Sequence, residues 1–289
     1  MFSRFLSFPA LLALVAVSAC TTAGNPNEPS DPPPPPNVVN YTAIGASDAI
    51  GYGSSAACLP FSPCPEGKGY VQLLAGRLKA DGKTVTLLNL GLPGSVLGPE
   101  TQAIGQQLGR GTISNFLDSE VPFVATDATL VTVFAGGNDV NTVGAALEAG
   151  YGGVDPLGYL LARTEGFGRD LKKMMDGIKA RAPRARVVVL NLPNLAGLPY
   201  AAGYSTTKKR ALQDIAVRFS AEINKLTSQG ATVVDIMCDG GFYQAGRYSS
   251  DGFHPNDSGY ARMADVFYGP ATTGTGPLPQ ASCSFMKIY

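Results

Sequence analysis

The chain has 289 residues, 45% of them hydrophobic and 15% charged, with 22 basic side chains balancing 22 acidic ones. That apolar supply suffices for one well-buried core without a structural metal. A net charge of zero leaves no basic field to collect phosphates, so nucleic-acid binding is set aside.

The N-terminal MFSRFLSFPALLALVAVSAC has one arginine, then an apolar run too short to span a bilayer comfortably. It ends in Val17-Ser18-Ala19-Cys20, which resembles the lipobox of bacterial lipoproteins, whose cysteine is lipidated and becomes the new N-terminus. Residues 1–20 are therefore expected to be a lipoprotein signal peptide, with Cys20 anchoring an exported protein to a membrane of the cell envelope. If the lipobox is not used, cleavage near Ala19 secretes the protein instead. Residues 21–40 are polar and proline-rich and read as a disordered tether. Pro32–Pro36 would form a stiff spacer of about 3.1 Å per residue. The globular domain is expected over residues 41–289.

Within that domain, short apolar runs alternate with longer amphipathic stretches. Strands are predicted at Tyr41–Ala46, Val85–Asn89, Leu130–Phe134, Val187–Asn191 and Thr232–Asp235, and their near-continuous apolar character suits burial on both faces. Helices are predicted at Tyr70–Ala80, ended by Gly82, and at Pro156–Ala182, with Pro183 just beyond. Thr206–Ser228 and Asp257–Phe267 follow the same pattern, whereas Thr101–Leu117 is weaker and broken by glycines. The glycine-rich Gly136–Gly153 is expected to be a functional loop and Gly269–Tyr289 an irregular tail. The alternation predicts an α/β fold, a parallel sheet with helices on both faces.

Five cysteines less Cys20 leave Cys58, Cys64, Cys238 and Cys283, an even set that fits two disulfides in an oxidising compartment. Four cysteines allow three pairings. Cys58 and Cys64 bracket a natural small loop, and Cys238 with Cys283 would then pin the tail. No C-x-x-C is present, which argues against a zinc site, and no other metal is expected.

The chemistry centres on the single histidine, His254, in SSDGFHPNDSGY. A lone histidine is most often a surface or core residue, but Asp251 lies three positions earlier and Gly252 permits a tight path between them. Asp251 could hold one ring nitrogen and leave the other free to accept a proton, as serine hydrolysis requires. Asp239 and Asp257 are rival orienters. Upstream, Ser47 in IGASDAIGYG follows the first strand. Asn138, in AGGNDV after the third strand, and Gly94, in LGLPGS after the second, are candidate donors to a developing oxyanion, together with the Ser47 N–H. Read singly, both loops are also ordinary turn words.

Taken together, these blocks resemble the SGNH (GDSL-type) hydrolases. Gly45-Ala46-Ser47 matches the nucleophile block. Asn89-Leu90-Gly91-Leu92-Pro93-Gly94 ends in the oxyanion glycine. Gly136-Gly137-Asn138-Asp139 matches G-x-N-D, and Asp251-Gly252-Phe253-His254 matches D-x-x-H. The resemblance implies a flavodoxin-like three-layer α/β/α sandwich on a five-stranded parallel sheet, and ester hydrolysis without a cofactor. It implies Ser47, His254 and Asp251 as a triad, with Gly94, Asn138 and the Ser47 N–H as the oxyanion hole. Ala46 and Asp48 depart from G-D-S-L, and Asp48 is expected in the first turn of the following helix, where the macrodipole favours a carboxylate.

The expected substrate is a carboxylic ester, either an acyl ester or a lipid. An O-acetylated glycan is the alternative within the same fold, and a non-catalytic binding lipoprotein is the alternative outside enzymology. Tyr243, Tyr248 and Phe253 are candidates to wall the pocket. A P-loop is excluded because Arg77 stands where its first glycine belongs.

Overall fold

The computed structural model describes residues 36–289. The segment expected to be a signal peptide, Cys20 and the part of the expected tether up to residue 35 lie outside the described residues. Five strands form one sheet: β1 (Val38–Gly45), β2 (Thr84–Asn89), β3 (Leu130–Phe134), β4 (Arg186–Leu190) and β5 (Thr232–Val234). Their spatial order is β2-β1-β3-β4-β5 and every pairing is parallel. This is the doubly wound order whose ligands sit beyond the carboxyl ends of β1 and β3, where the winding reverses.

Seven helices accompany the sheet: α1 (Tyr70–Ala80), α2 (Pro99–Gln107), α3 (Phe116–Ser119), α4 (Gly137–Glu148), α5 (Pro156–Arg181), α6 (Thr206–Asn224) and α7 (Asp257–Thr273). Alternation along the strands sorts the core into two layers. Val187 and Val189 of β4 join Val131 and Val133 against Phe167, Leu171 and Met175 of α5 and Ile215 and Phe219 of α6. Val188 and Leu190 face the other way, with Tyr41 and Ala43, toward Tyr70 and Leu74 of α1 and Tyr260 and Phe267 of α7. This two-sided burial is why the strands read as continuous apolar runs.

Local chemistry sets the helix ends. The Asp155 carboxylate accepts the Gly158 N–H at 2.8 Å and Pro156 occupies the first helical position of α5. Ser205 caps α6 through the Lys208 N–H at 3.2 Å. Asn256 caps α7 through the N–H groups of Ser258 and Gly259, at 3.0 and 3.1 Å.

Several boundaries shift by a residue or two, α6 ends at Asn224 instead of Ser228, and four differences are larger or structurally telling. β1 begins at Val38, because Val38–Asn40 find partners in Thr84–Thr86 at the sheet edge. The weak helix over 101–117 splits into α2 and α3 around the Gly109–Gly111 turn. The expected glycine-rich loop is largely helix α4: Gly136 takes a left-handed φ of +108° before it and Gly150, Gly152 and Gly153 have positive φ after it, while Val140, Val143 and Ala146 bury one helical face between them. α7 runs past Phe267 to Thr273, where Gly274 ends it at φ +77°.

Cys58 is bonded to Cys64 and Cys238 to Cys283, the pairing in which the small loop closes and the tail is pinned beside β5. The two cross-links close 6 and 45 positions of chain. Loop-entropy scaling gives about 2 kcal/mol for the shorter and about 4 kcal/mol for the longer. Replacing both Cys238 and Cys283 by serine should therefore lower the urea midpoint more than replacing Cys58 and Cys64, as equilibrium unfolding would measure.

Candidate active site

The chain leaves β1 at Gly45 and turns at once. The Ala49 N–H bonds the Ala46 carbonyl at 3.1 Å and the Tyr52 N–H bonds the Ser47 carbonyl at 3.0 Å. Ser47 sits in this turn, 7% exposed. Gly91 backs the turn so closely that a Cβ there would lie 2.7 Å from the Ala49 Cβ. A buried carboxylate braces it from below: Glu120 Oε2 accepts the Gly45 N–H at 2.9 Å, and Glu120 is fully buried. Burial pushes the Glu120 carboxyl well above its ordinary range, although the Gly45 N–H and the Ser95 hydroxyl oppose the shift.

The histidine arrives from the other end of the chain on the loop before α7. Gly252 takes φ +69°, and a Cβ there would lie 2.6 Å from the Tyr200 nitrogen, so only glycine fits. His254 Nε2 lies 2.8 Å from Ser47 Oγ. His254 Nδ1 lies 2.6 Å from Asp251 Oδ2. The other Asp251 oxygen accepts from the N–H groups of Phe253 and His254, at 2.8 and 2.9 Å, and from the Ser249 hydroxyl at 2.9 Å. Partial burial raises the Asp251 pKa, but these bonds outweigh it and bring the carboxyl down to about 2. An ionised Asp251 assigns the ring proton to Nδ1 and leaves Nε2 as acceptor for the serine proton. Tyr52 and Phe253 meet the imidazole edge-on, with centroids 4.7 and 4.9 Å away, and fix its plane.

The donors expected from the second and third blocks lie at the ends of β2 and β3. Gly94 has φ +78°, and a Cβ there would lie 2.5 Å from the Gly111 carbonyl oxygen. Asn138 opens α4, and its amide donates one N–H to the Ser95 carbonyl at 2.9 Å, which orients the group and leaves a second N–H free. Asp139 is fully buried and receives the Leu97 N–H on both oxygens, at 3.0 and 3.1 Å. The loop carrying Gly94 is thus tied to the start of α4 twice, from adjacent residues. Burial pushes the Asp139 carboxyl up to about 7.

Other expectations are redistributed. Asp48 is not in a helix: α1 starts only at Tyr70, and Asp48 belongs to the tight turn, so the macrodipole argument does not apply. Its carboxyl instead borders a small cavity of about 40 Å³ between Phe134, Leu192, Ile236, Tyr248 and Phe253, and desolvation raises its pKa. Asp239 bonds the Gly241 N–H and pairs with Arg262, and Asp257 binds Ser55 at 2.7 and 2.6 Å. Neither rival orienter holds His254. Of the three aromatics expected to wall the pocket, Phe253 and Tyr248 line the small cavity beside Asp48, and Phe253 also borders a larger groove. Tyr243 does not: it stacks on Phe285 at 4.3 Å and bonds the Met237 carbonyl at 2.7 Å, packing the pinned tail.

A larger groove of about 470 Å³ opens between α4 and α6, reaching from Phe253 and Tyr200 out to Glu148 and Lys208. Sequence reasoning missed this groove, Tyr52 and Glu120. The only signal for Glu120 is an acid directly before the apolar Val121-Pro122-Phe123 in FLDSEVPF. Among the described residues, no group of three or more His, Cys, Asp or Glu side chains is placed to hold a metal ion.

The sequence profile of the GDSL-like Lipase/Acylhydrolase family matches residues 43–262, well over half of the chain. Among solved structures, an extracellular lipase from Streptomyces rimosus is 20% identical with a TM-score of 0.56, over 80% of this chain and 99% of that one. A phospholipase A1 from Streptomyces albidoflavus is 19% identical with a TM-score of 0.55, over 80% and 98% of the two chains. A lipase from a goat rumen metagenome is 22% identical with a TM-score of 0.53, over 80% and 96%. At such identities these likenesses speak to the fold. No curated protein sequence matches the chain.

Asp139 makes stability depend on pH with a definite sign. Its folded pKa lies above the unfolded value of about 3.9, so its contribution is full below that value and lost as pH rises to about 7. Asp139→Asn keeps an oxygen for the Leu97 N–H and removes the titration. The unfolding free energy of the variant, relative to wild type, should therefore climb by a few kcal/mol at most between pH 4 and 7. A difference constant with pH in urea titrations would contradict this.

Proposed function

The chain belongs to the GDSL-like lipase/acylhydrolase family and is an ester-hydrolysing enzyme, and from that premise we propose that it is an exported serine esterase acting through Ser47, His254 and Asp251. The observation that carries this reading is the unbroken relay from Ser47 Oγ to His254 Nε2 and from Nδ1 to Asp251, at 2.8 and 2.6 Å.

In this mechanism His254 removes the Ser47 proton as the hydroxyl oxygen attacks the ester carbonyl carbon. Asp251 keeps the proton on Nδ1 and stabilises the imidazolium as it forms. The oxyanion is held by the N–H groups of Ser47 and Gly94 and by the free amide N–H of Asn138. Collapse expels the alcohol, which takes its proton from His254. Water, deprotonated by the same nitrogen, then releases the acid and restores Ser47. Asp251 stays ionised down to about pH 2, so it keeps the ring proton of His254 on Nδ1 throughout the range in which the protein would work.

The groove between α4 and α6, with Leu147, Ala211 and Leu212 on its walls, supports short- to medium-chain acyl esters or lipids as substrates. Export is supported by the two disulfides, which persist in oxidising compartments. Anchoring through a lipidated Cys20 rests on the four-residue lipobox pattern.

Ser47→Ala and His254→Ala should each cut turnover of a chromogenic short-chain ester by several orders of magnitude. Asn138→Ala should lower kcat by about 10²–10³ with a smaller effect on KM. Near-normal kcat in His254→Ala would refute the assignment of the base. An acyl-chain-length series should peak beyond acetyl; a maximum at acetyl, with release from acetylated glycan, would favour the O-acetyl esterase reading.

A further inference from the structure

The groove beside the catalytic residues is charged unevenly along its length. Its floor is one face of α4, on which Asn138, Asn141, Ala145 and Glu148 follow at helical spacing, and the last three line the groove. It therefore runs outward from the oxyanion donor Asn138. At the far end the charges cancel: Lys208 Nζ bonds Glu148 at 2.9 Å and lies 4.3 Å over the Tyr204 ring.

The near end holds Arg110. Its loop is built against the oxyanion donor, since the neighbouring Gly111 carbonyl occupies the place that a Cβ on Gly94 would need. Gly109, at φ +66°, and Gly111 flank it, and no atom crowds either glycine within 4 Å. Among the described residues the exposed Arg110 guanidinium makes no hydrogen bond or ion pair. It shares the groove lining with Tyr200, whose phenol feels its charge, donates to Asn141 Oδ1 at 3.1 Å and packs on Phe253, next to His254. Arg110 is thus the uncompensated charge of the groove, next to the loop of Gly94 and on the same lining as Asn141, which lies one helical turn along α4 from Asn138. A guanidinium offers five N–H donors in a fork that fits phosphate or carboxylate oxygens.

We propose that the groove binds esters carrying an anionic group a few bonds from the scissile carbonyl, with Arg110 as the specificity-determining residue. The neutral acyl part then lies along Leu147, Ala211 and Leu212, and the anion sits where Arg110, Asn141 and Tyr200 meet. This rests on the reading of Ser47 as the nucleophile, and deepens it by naming the substrate class.

The test compares kcat/KM on 1-acylglycerol 3-phosphate and on the uncharged 1-monoacylglycerol of the same chain length. Wild-type, Arg110→Gln and Arg110→Lys full-length proteins are used below the micellar range. Wild type should prefer the phosphate ester. The charged-to-neutral ratio should fall about tenfold or more in Arg110→Gln, the worth of one charge-assisted pair, and less in Arg110→Lys, which keeps the charge but loses the fork. A third arm, the hemisuccinate of the same monoacylglycerol, separates phosphate from carboxylate recognition; a fall in either charged arm supports the site. A ratio unchanged within twofold in both charged arms, or a wild-type enzyme indifferent to charge, overturns it. Ser47→Ala on the neutral ester reads the nucleophile separately, so the two claims fail independently. Circular dichroism of the Arg110 variants checks folding, which an exposed, unbonded side chain should leave intact.

Discussion

The bond between Ser47 and His254 joins residues 207 positions apart, and most of the fold bears on keeping it at 2.8 Å. Parallel pairing does the first part of that work. Ala43 pairs with Asn89 and Gly45 with Phe134, so β1, β2 and β3 end at nearly the same level. The loops that follow them carry Ser47, Gly94 and Asn138 to one edge of the sheet, at the reversal of winding. His254 is set by a different device. Asp251 folds its loop back on itself through two backbone N–H groups while its second oxygen holds the ring, and Asn256 starts α7 directly afterward.

Two buried carboxyls complete the frame, and both are costly. Glu120 and Asp139 are fully removed from water, and burial raises the pKa of each. Each accepts a backbone N–H beside the reactive centre, Gly45 for one and Leu97 for the other. A carboxyl held there forbids the turn and the oxyanion loop from relaxing, which would leave a buried acid without its donor. The site thus carries glycines at left-handed φ, where a side chain would not fit, and desolvated acids where a region chosen for stability alone would carry apolar packing.

Much of this was legible in the sequence because the chemistry is local. The strands are short and mostly apolar, so β3 matches at both ends and the others lie within a few residues. Asp251 and His254 share one tight turn, and Gly94 and Asn138 stand just beyond strands whose ends were visible. What escaped depends on distant partners. Glu120 acts on a backbone N–H 75 positions away, and nothing in its own surroundings names Gly45. Arg110 and Tyr200 converge only because α4 and the Gly94 loop bring them together. Gly136–Gly153 misleads for the opposite reason: its turn words are genuine at Gly136 and again at Gly150–Gly153, but between them the buried spacing of Val140, Val143 and Ala146 takes over as a helix. Asp48 escapes for the same reason as Glu120: it borders an apolar cavity whose other walls, Phe134, Leu192 and Ile236, are distant in sequence.

The central claim is that Ser47, activated by His254, attacks the ester carbon. It is tested most directly by reacting the folded protein with a fluorophosphonate and locating the adduct by peptide mass spectrometry. The account predicts one adduct per chain, on Ser47, absent in Ser47→Ala and formed far more slowly in His254→Ala. Labelling of another residue, or no labelling of well-folded protein, would contradict it.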